Sequence, residues 1–146
     1  MDRLILVRHG DAERDSATGD DFDRRLSSRG CEESARMGET LAELGMIPDL
    51  ALVSGAVRTR ESWAAMSQAF PNAEARFEDP LYLAEAEVIR RLADAAGAAA
   101  RTGLGVGHNP GLQGLAGRMV LGGGTRGGAG ARRPHYDGLF YPRDRT

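Results

Sequence analysis

Arg8, His9 and Gly10 follow directly on the apolar run Leu4-Ile5-Leu6-Val7. Histidine can attack or carry a proton near neutral pH. Arginine offers a planar fork of donors that matches phosphate. Glycine lets the backbone and its N–H come close to a ligand. A lone Arg-His-Gly would be a weak signal, but the grammar recurs. Leu104-Gly105-Val106-Gly107 is followed by His108-Asn109-Pro110-Gly111, and Leu50-Ala51-Leu52-Val53-Ser54 by Gly55-Ala56-Val57-Arg58. Three apolar runs thus end on histidine, arginine and histidine. Packing alone does not explain that convergence. The residue types suit a pocket that grips an anion and carries a nucleophile.

The elements that must position these residues can be read around them. Leu4 to Val7, four apolar residues in a row with two of them β-branched, read as a buried strand of a parallel sheet. In open α/β sheets ligands bind just beyond the C-terminal strand ends, where Arg8, His9 and His108 would sit. Asp11 to Arg25 reads as a loop over that face. Ser27 or Ser28 can cap a first helix, with Glu32 and Glu33 in its early turns and Gly45 as its stop. Leu50 to Ser54 is a second strand. A second helix runs from about Val57 to Phe70, carrying Trp63, Met66 and Phe70 on one side. Ala73 to Phe77 is a short third strand, Glu85 to Ala100 a third helix, and Leu104 to Gly107 a fourth strand weakened by two glycines. Pro110 suits the start of a last helix reaching about Leu121. Gly122 to Gly130 holds six glycines in nine residues without the Gly-Lys-Ser/Thr ending of a nucleotide-binding loop, and reads as a plain loop. Gly138 to Tyr141 could be a final strand. The alternation implies a single domain over 1–146, a three-layer αβα sandwich with a mainly parallel central sheet.

Composition narrows the partners. At 146 residues, with 41% hydrophobic and 27% charged residues, the chain fits one ordinary soluble domain. A net charge of −2 offers no basic field for nucleic acid or an anionic membrane. No run approaches the ~20 apolar residues of a membrane helix, and the N-terminal run is too short for a signal peptide. The cytoplasm is the expected compartment. Cys31 is the single cysteine, so no intrachain disulfide can form, and a partly buried packing role is expected of it. Zinc-site spacing of Cys and His is absent.

The chain resembles the histidine phosphatase (phosphoglycerate mutase-like) superfamily, and within it the short bacterial phosphohistidine phosphatases of the SixA type. Arg8-His9-Gly10, Asp21-Phe22-Asp23-Arg24 with Leu26 and Arg29-Gly30, Ser54 with Arg58, Leu81-Tyr82, and Gly107-His108-Asn109-Pro110-Gly111 carry the match, in order, from about Leu4 to Met119. The resemblance implies a phosphoglycerate mutase-like fold and a phosphatase working through a phosphohistidine intermediate, with no cofactor or metal. His9 would be the nucleophile. Arg8, Arg58 and His108 would hold the phosphoryl oxygens, with Gly10 beside them as a further substrate contact. Ser54 and Arg58 match the family spacing; Arg60 does not. The partner implied is a phosphorylated protein (phosphohistidine) or a small phosphorylated substrate, met by a monomer.

Alternatives stay open on the sequence alone. His108 could merely cap the following helix. Asp23-Arg24 could be a local salt bridge ordering its loop, and Ser54 could support a turn. A general small-molecule phosphomonoesterase would need a general acid. Asp11, Glu78, Asp79 and Glu85 are candidates for it. A phosphoglycerate mutase is disfavoured because mutases of the superfamily are longer. A catalytically silent anion-binding module is a third reading. The chain departs from the family at Gly55 and Arg25, where proline is common, and at His135, where threonine usually follows Arg132-Arg133-Pro134.

Overall fold

The computed structural model describes residues 1–97, 100–122 and 135–140. Among these residues five strands, β1 (Arg3–Arg8), β2 (Leu50–Ser54), β3 (Glu74–Glu78), β4 (Thr102–Gly107) and β5 (His135–Phe140), form one sheet in the order β3-β2-β4-β1-β5. Every pairing in it is parallel. Among the described residues four α-helices, α1 (Ser28–Glu43), α2 (Val57–Met66), α3 (Ala86–Ala95) and α4 (Gly111–Gly122), supply the connections. The expected αβα sandwich is therefore the observed fold.

Strand periodicity divides the core. In β1, Ile5 and Val7 join Leu41, Trp63, Met66 and Phe70 beneath α1 and α2. Leu4 and Leu6 face the other way, with Ile89, Leu112 and Leu115 of α3 and α4. Successive strand residues point to opposite faces, so one apolar run serves both layers. Each fully buried aliphatic side chain contributes about 1.5–3 kcal/mol of transfer free energy.

The element ends follow local chemistry. Ser27 caps α1 by accepting the Gly30 N–H at 3.0 Å. Gly45 lets the chain leave α1 with φ +77°, a conformation costly for other residues. Two helices are shorter than their sequence patterns. α2 gives way at Ser67–Ala69 to a single 3₁₀ turn, because Pro71 bars helical backbone at Phe70, which takes φ −130°. α3 closes at Ala96, whose N–H bonds back to Leu92 and Asp94. Next to it the Gly97 carbonyl accepts the Met1 ammonium at 2.6 Å, tying this corner to the start of β1. The remainder of the segment expected to reach Ala100 includes residues outside those described. So do Gly123 to Gly130 of the glycine-rich stretch, Arg132 to Pro134, and Tyr141. β5 begins earlier than expected, at His135, and pairs with β1. Cys31 is exposed on α1, not partly buried as expected, because it falls on the helix face turned from the sheet.

Candidate active site

Sheet order brings the sequence signals together. β4 lies between β2 and β1, and Arg8 pairs in register with Gly107. The next residues, His9 and His108, therefore emerge side by side, with ring centroids 5.4 Å apart. The His9 N–H donates to the Gly107 carbonyl at 3.2 Å, extending the ladder one step beyond the strands. β1 continues into α1 on one face of the sheet, and β4 into α4 on the other. Their divergence opens a crevice at the strand ends.

His9 Nδ1 lies 2.7 Å from the Gly10 carbonyl. A carbonyl only accepts, so Nδ1 carries the proton and Nε2 presents its lone pair. That lone pair accepts from Arg58 Nε at 3.3 Å. Burial pushes the His9 pKa down to about 4, with the Arg58 and Arg8 cations adding to the shift against the raising effect of the Gly10 bond. The ring is neutral at physiological pH.

Arg58 lies in the first turn of α2 and is 3% exposed. Besides His9, its NH1 donates to the Asp21 carbonyl at 2.8 Å and its NH2 to Asp21 Oδ2 at 3.0 Å. Arg60, two residues on, points elsewhere: its Nε donates to the Gly55 carbonyl and its guanidinium lies 4.6 Å from the Phe77 ring centre. Helical spacing separates the two arginines by about 200° around α2, so only one can face the histidines.

His108 is 2% exposed. Its Nε2 lies 2.9 Å from Ser54 Oγ, which also accepts the Ala56 N–H. A hydroxyl carries one donor and two acceptor sites, so Ser54 holds Nε2 in either tautomer of the ring. Nδ1 is buried and without a hydrogen-bond partner among the described residues. Burial, reinforced by His9 and Arg58, lowers the His108 pKa to about 3. The helix cap is made by other groups: Asn109 Oδ1 accepts the Gln113 N–H at 3.1 Å, and the His108 carbonyl accepts the Leu112 N–H. Ser54 supports the turn, as one reading allowed, and also orients His108.

Arg8 is exposed at the end of β1 and forms no ion pair among the described residues. It is near enough for its charge to lower both histidine pKa values. Gly10 differs from expectation. Its N–H donates to Ser62 Oγ at 3.0 Å in the interior rather than into the crevice. A Cβ there would meet the Gly30 carbonyl oxygen at 2.7 Å, so glycine at this position lets α1 pack against the His9 loop.

The carboxylate that enters the site belongs to one of the motifs that carry the resemblance, but the sequence reading gave it no role. Asp21 accepts from Tyr82 OH at 2.5 Å and from Arg24 NH1 at 2.8 Å, besides Arg58. These donors, Tyr82 foremost, hold its pKa well below the usual carboxylate range. Arg24 pairs with Asp21 and not with Asp23, whose carboxylate accepts from Thr18. A single 3₁₀ turn over Asp21–Asp23 presents the nearer residue to the arginines. Among the described residues the four acid candidates make no hydrogen bond to His9, Arg58 or His108. Asp11 accepts from Ser27 Oγ and pairs with Arg29 at the start of α1. Asp79 packs against Gly55, while Glu78 ends β3 and Glu85 precedes α3. Tyr82 sits edge-on to His108 at 5.5 Å, and burial raises its pKa, with Asp21 adding to the shift. Among the described residues no group of three or more His, Cys, Asp or Glu side chains could hold a metal ion. No helix among them is long and apolar enough to cross a membrane.

No family model matches the chain. A stretch is 43% identical over 61 residues to a 2,3-bisphosphoglycerate-dependent phosphoglycerate mutase of Leifsonia xyli subsp. xyli (strain CTCB07), covering 38% of this chain and 24% of the mutase. The matched stretches span less than a third of the length of the curated relatives. Solved structures match much more of the chain. A candidate phosphohistidine phosphatase SixA from Agrobacterium tumefaciens superposes with a TM-score of 0.73 at 28% identity, over 83% of this chain and 82% of that one. Another from Nakamurella multipartitia gives 0.72 at 29%, over 90% and 78%. Shared fold, shared strand-end motifs and this degree of identity over most of both chains make the chain similar to the SixA-type members of the histidine phosphatase (phosphoglycerate mutase-like) superfamily.

Proposed function

We propose that the chain is a phosphatase that passes a phosphoryl group through His9, and that its substrate is a phosphohistidine-bearing protein met in the cytoplasm. One observation carries the reading. The Nδ1–H of His9 is committed to the Gly10 carbonyl, so the Nε2 lone pair faces the buried Arg58. In the first step Nε2 attacks phosphorus, a P–N bond to His9 forms, and the bond to the leaving group breaks. In the second, a water oxygen attacks phosphorus, the bond to Nε2 breaks, and the water proton leaves to solvent with inorganic phosphate as product. The Nδ1 proton serves both steps, since it lets His9 depart as neutral imidazole. Arg58 and Arg8 offer charge-assisted donors to the phosphoryl oxygens, and His108, with its ring 5.4 Å from that of His9, completes the grip.

The preference for phosphohistidine is supported by the acid inventory. An alkoxide leaving group needs a proton from a placed acid, worth about 10²–10⁴-fold. Asp21, the carboxylate at the arginine, is held ionised. A departing imidazole, with an ordinary pKa of about 6.5, makes no such demand. The test compares kcat/KM for a phosphohistidine protein and a phosphoserine peptide, with acid-quench trapping on wild type and His9→Ala. Acid-labile phosphate on wild type alone, and preference for the phosphohistidine protein, are expected. Full activity of His9→Ala, or a clear preference for phosphoserine, would refute the proposal.

A further inference from the structure

We propose that Asp21 is a positioning residue for Arg58. Its carboxylate and its own carbonyl hold one end of the guanidinium so that the rest of the fork faces His9. The inference rests on the function proposed above. Arg58 has five N–H donors, and the structure accounts for three of them. NH1 and NH2 each give one to Asp21, and Nε gives one to His9. One N–H on each terminal nitrogen remains for phosphoryl oxygens. A guanidinium gripped by two acceptors of one residue cannot rotate about its last bonds. It is set before substrate arrives, and for the reaction its Nε–H releases the His9 lone pair while the grip of Asp21 holds.

The loop that brings Asp21 to this place is itself tied down. Thr18 Oγ1 donates to Asp23 at 2.6 Å, and Arg24 Nε donates to the Glu13 carbonyl at 2.8 Å. Glu61 of α2 accepts from Arg25 and from the Leu26 N–H at 2.8 Å. Phe22 packs edge-on to Tyr82 with centroids 4.9 Å apart. Tyr82 comes from the segment after β3, so Asp21 is gripped from a second direction by its hydroxyl. The charged and polar groups facing Asp21 are thus Arg24, Arg58 and Tyr82. Loop and phenol form a brace across the mouth of the crevice, and its end is the arginine.

A brace predicts a specific kinetic pattern. Misplacing a guanidinium by an ångström weakens the transition-state contact, so kcat and kcat/KM fall together. Hydrolysis of p-nitrophenyl phosphate should fall roughly 10–100-fold in kcat for Asp21→Ala. Asp21→Asn keeps an acceptor for Arg58 and should lose less. Added formate should restore part of the Asp21→Ala rate. The ¹⁵N signal of the Arg58 Nε–H gives a readout independent of turnover: sharp in wild type, broadened in Asp21→Ala, and intermediate in Tyr82→Phe. Asp21→Ala with wild-type kcat, or with tighter binding of inorganic phosphate and faster turnover, would overturn the proposal and make Asp21 a competitor of the substrate. An unaltered Arg58 signal in Asp21→Ala would do the same. An inactive wild type whose Arg58 signal still depends on Asp21 would instead overturn the proposed function and leave the brace standing.

Discussion

Acidifying the protein should leave His9 uncharged far below the pH at which an ordinary histidine protonates. The ring loses water contact in the crevice and lies against the Arg58 guanidinium, which holds its pKa near about 4 against a usual 6.5. At pH 6 an ordinary histidine is about three-quarters protonated, whereas His9 should be about 99% neutral. His108, at about 3, should behave likewise. The chain has three histidines, so ¹H–¹³C spectra of the imidazoles, assigned with His9→Gln and His108→Gln, can follow each ring from pH 8 to 3. The sign for stability follows from proton binding. Below about pH 6.5 the unfolded chain takes up protons that the folded rings refuse, so unfolding free energy falls on acidification until about pH 4 for His9 and about 3 for His108. Above pH 6.5 neither ring contributes a slope. Inorganic phosphate bound in the crevice should raise both midpoints, because the anion favours the charged imidazole. A His9 midpoint between 6 and 7 in the free protein would refute the burial argument, and with it the claim that the nucleophile is neutral through the physiological range.

Two further perturbations test the frame around the histidines. Arg58→Ala should lower kcat for an aryl phosphate about a hundredfold, the rough worth of one charge-assisted transition-state contact of about 3 kcal/mol. Arg60→Ala, which removes an exposed contact with Phe77, should change it less than about threefold; the reverse order in steady-state kinetics would show that the wrong arginine has been assigned. Ser62→Ala strips the Gly10 N–H of its buried acceptor and should cost about 1–3 kcal/mol. Calorimetry should then show Tm lower by roughly 3–10 °C, while an unchanged Tm would mean the N–H finds another partner.

Much of this protein is legible because its signals are local. Leu4 to Val7, Leu50 to Ser54 and Leu104 to Gly107 are runs whose composition alone favours buried strands. The polar residues that follow must appear at the same end of a parallel sheet. The pairing of His9 with His108 follows from that, once β1 and β4 are neighbours. Ser27 and Gly45 act within one turn of themselves, and their roles as cap and stop could be read from residue type. Helix lengths were less legible where contacts beyond the helix intervene, as at Gly97 with the Met1 ammonium.

Residue type and spacing therefore determined the fold class and the helices' buried faces and singled out the two histidines, while the family resemblance selected Arg58 over Arg60. These properties depend on periodicity and on chain direction, which a sequence records directly. Tertiary structure decided what each group is bonded to. It turned the Gly10 N–H toward Ser62 and left His108 Nδ1 without a partner among the described residues. It also brought Asp21, 37 residues away in sequence, onto Arg58. An irregular loop has no period to show where its carboxylates will fall. Asp11, Asp21 and Asp23 share one polar segment, and only packing against α2 and Tyr82 selects which of them reaches the arginine.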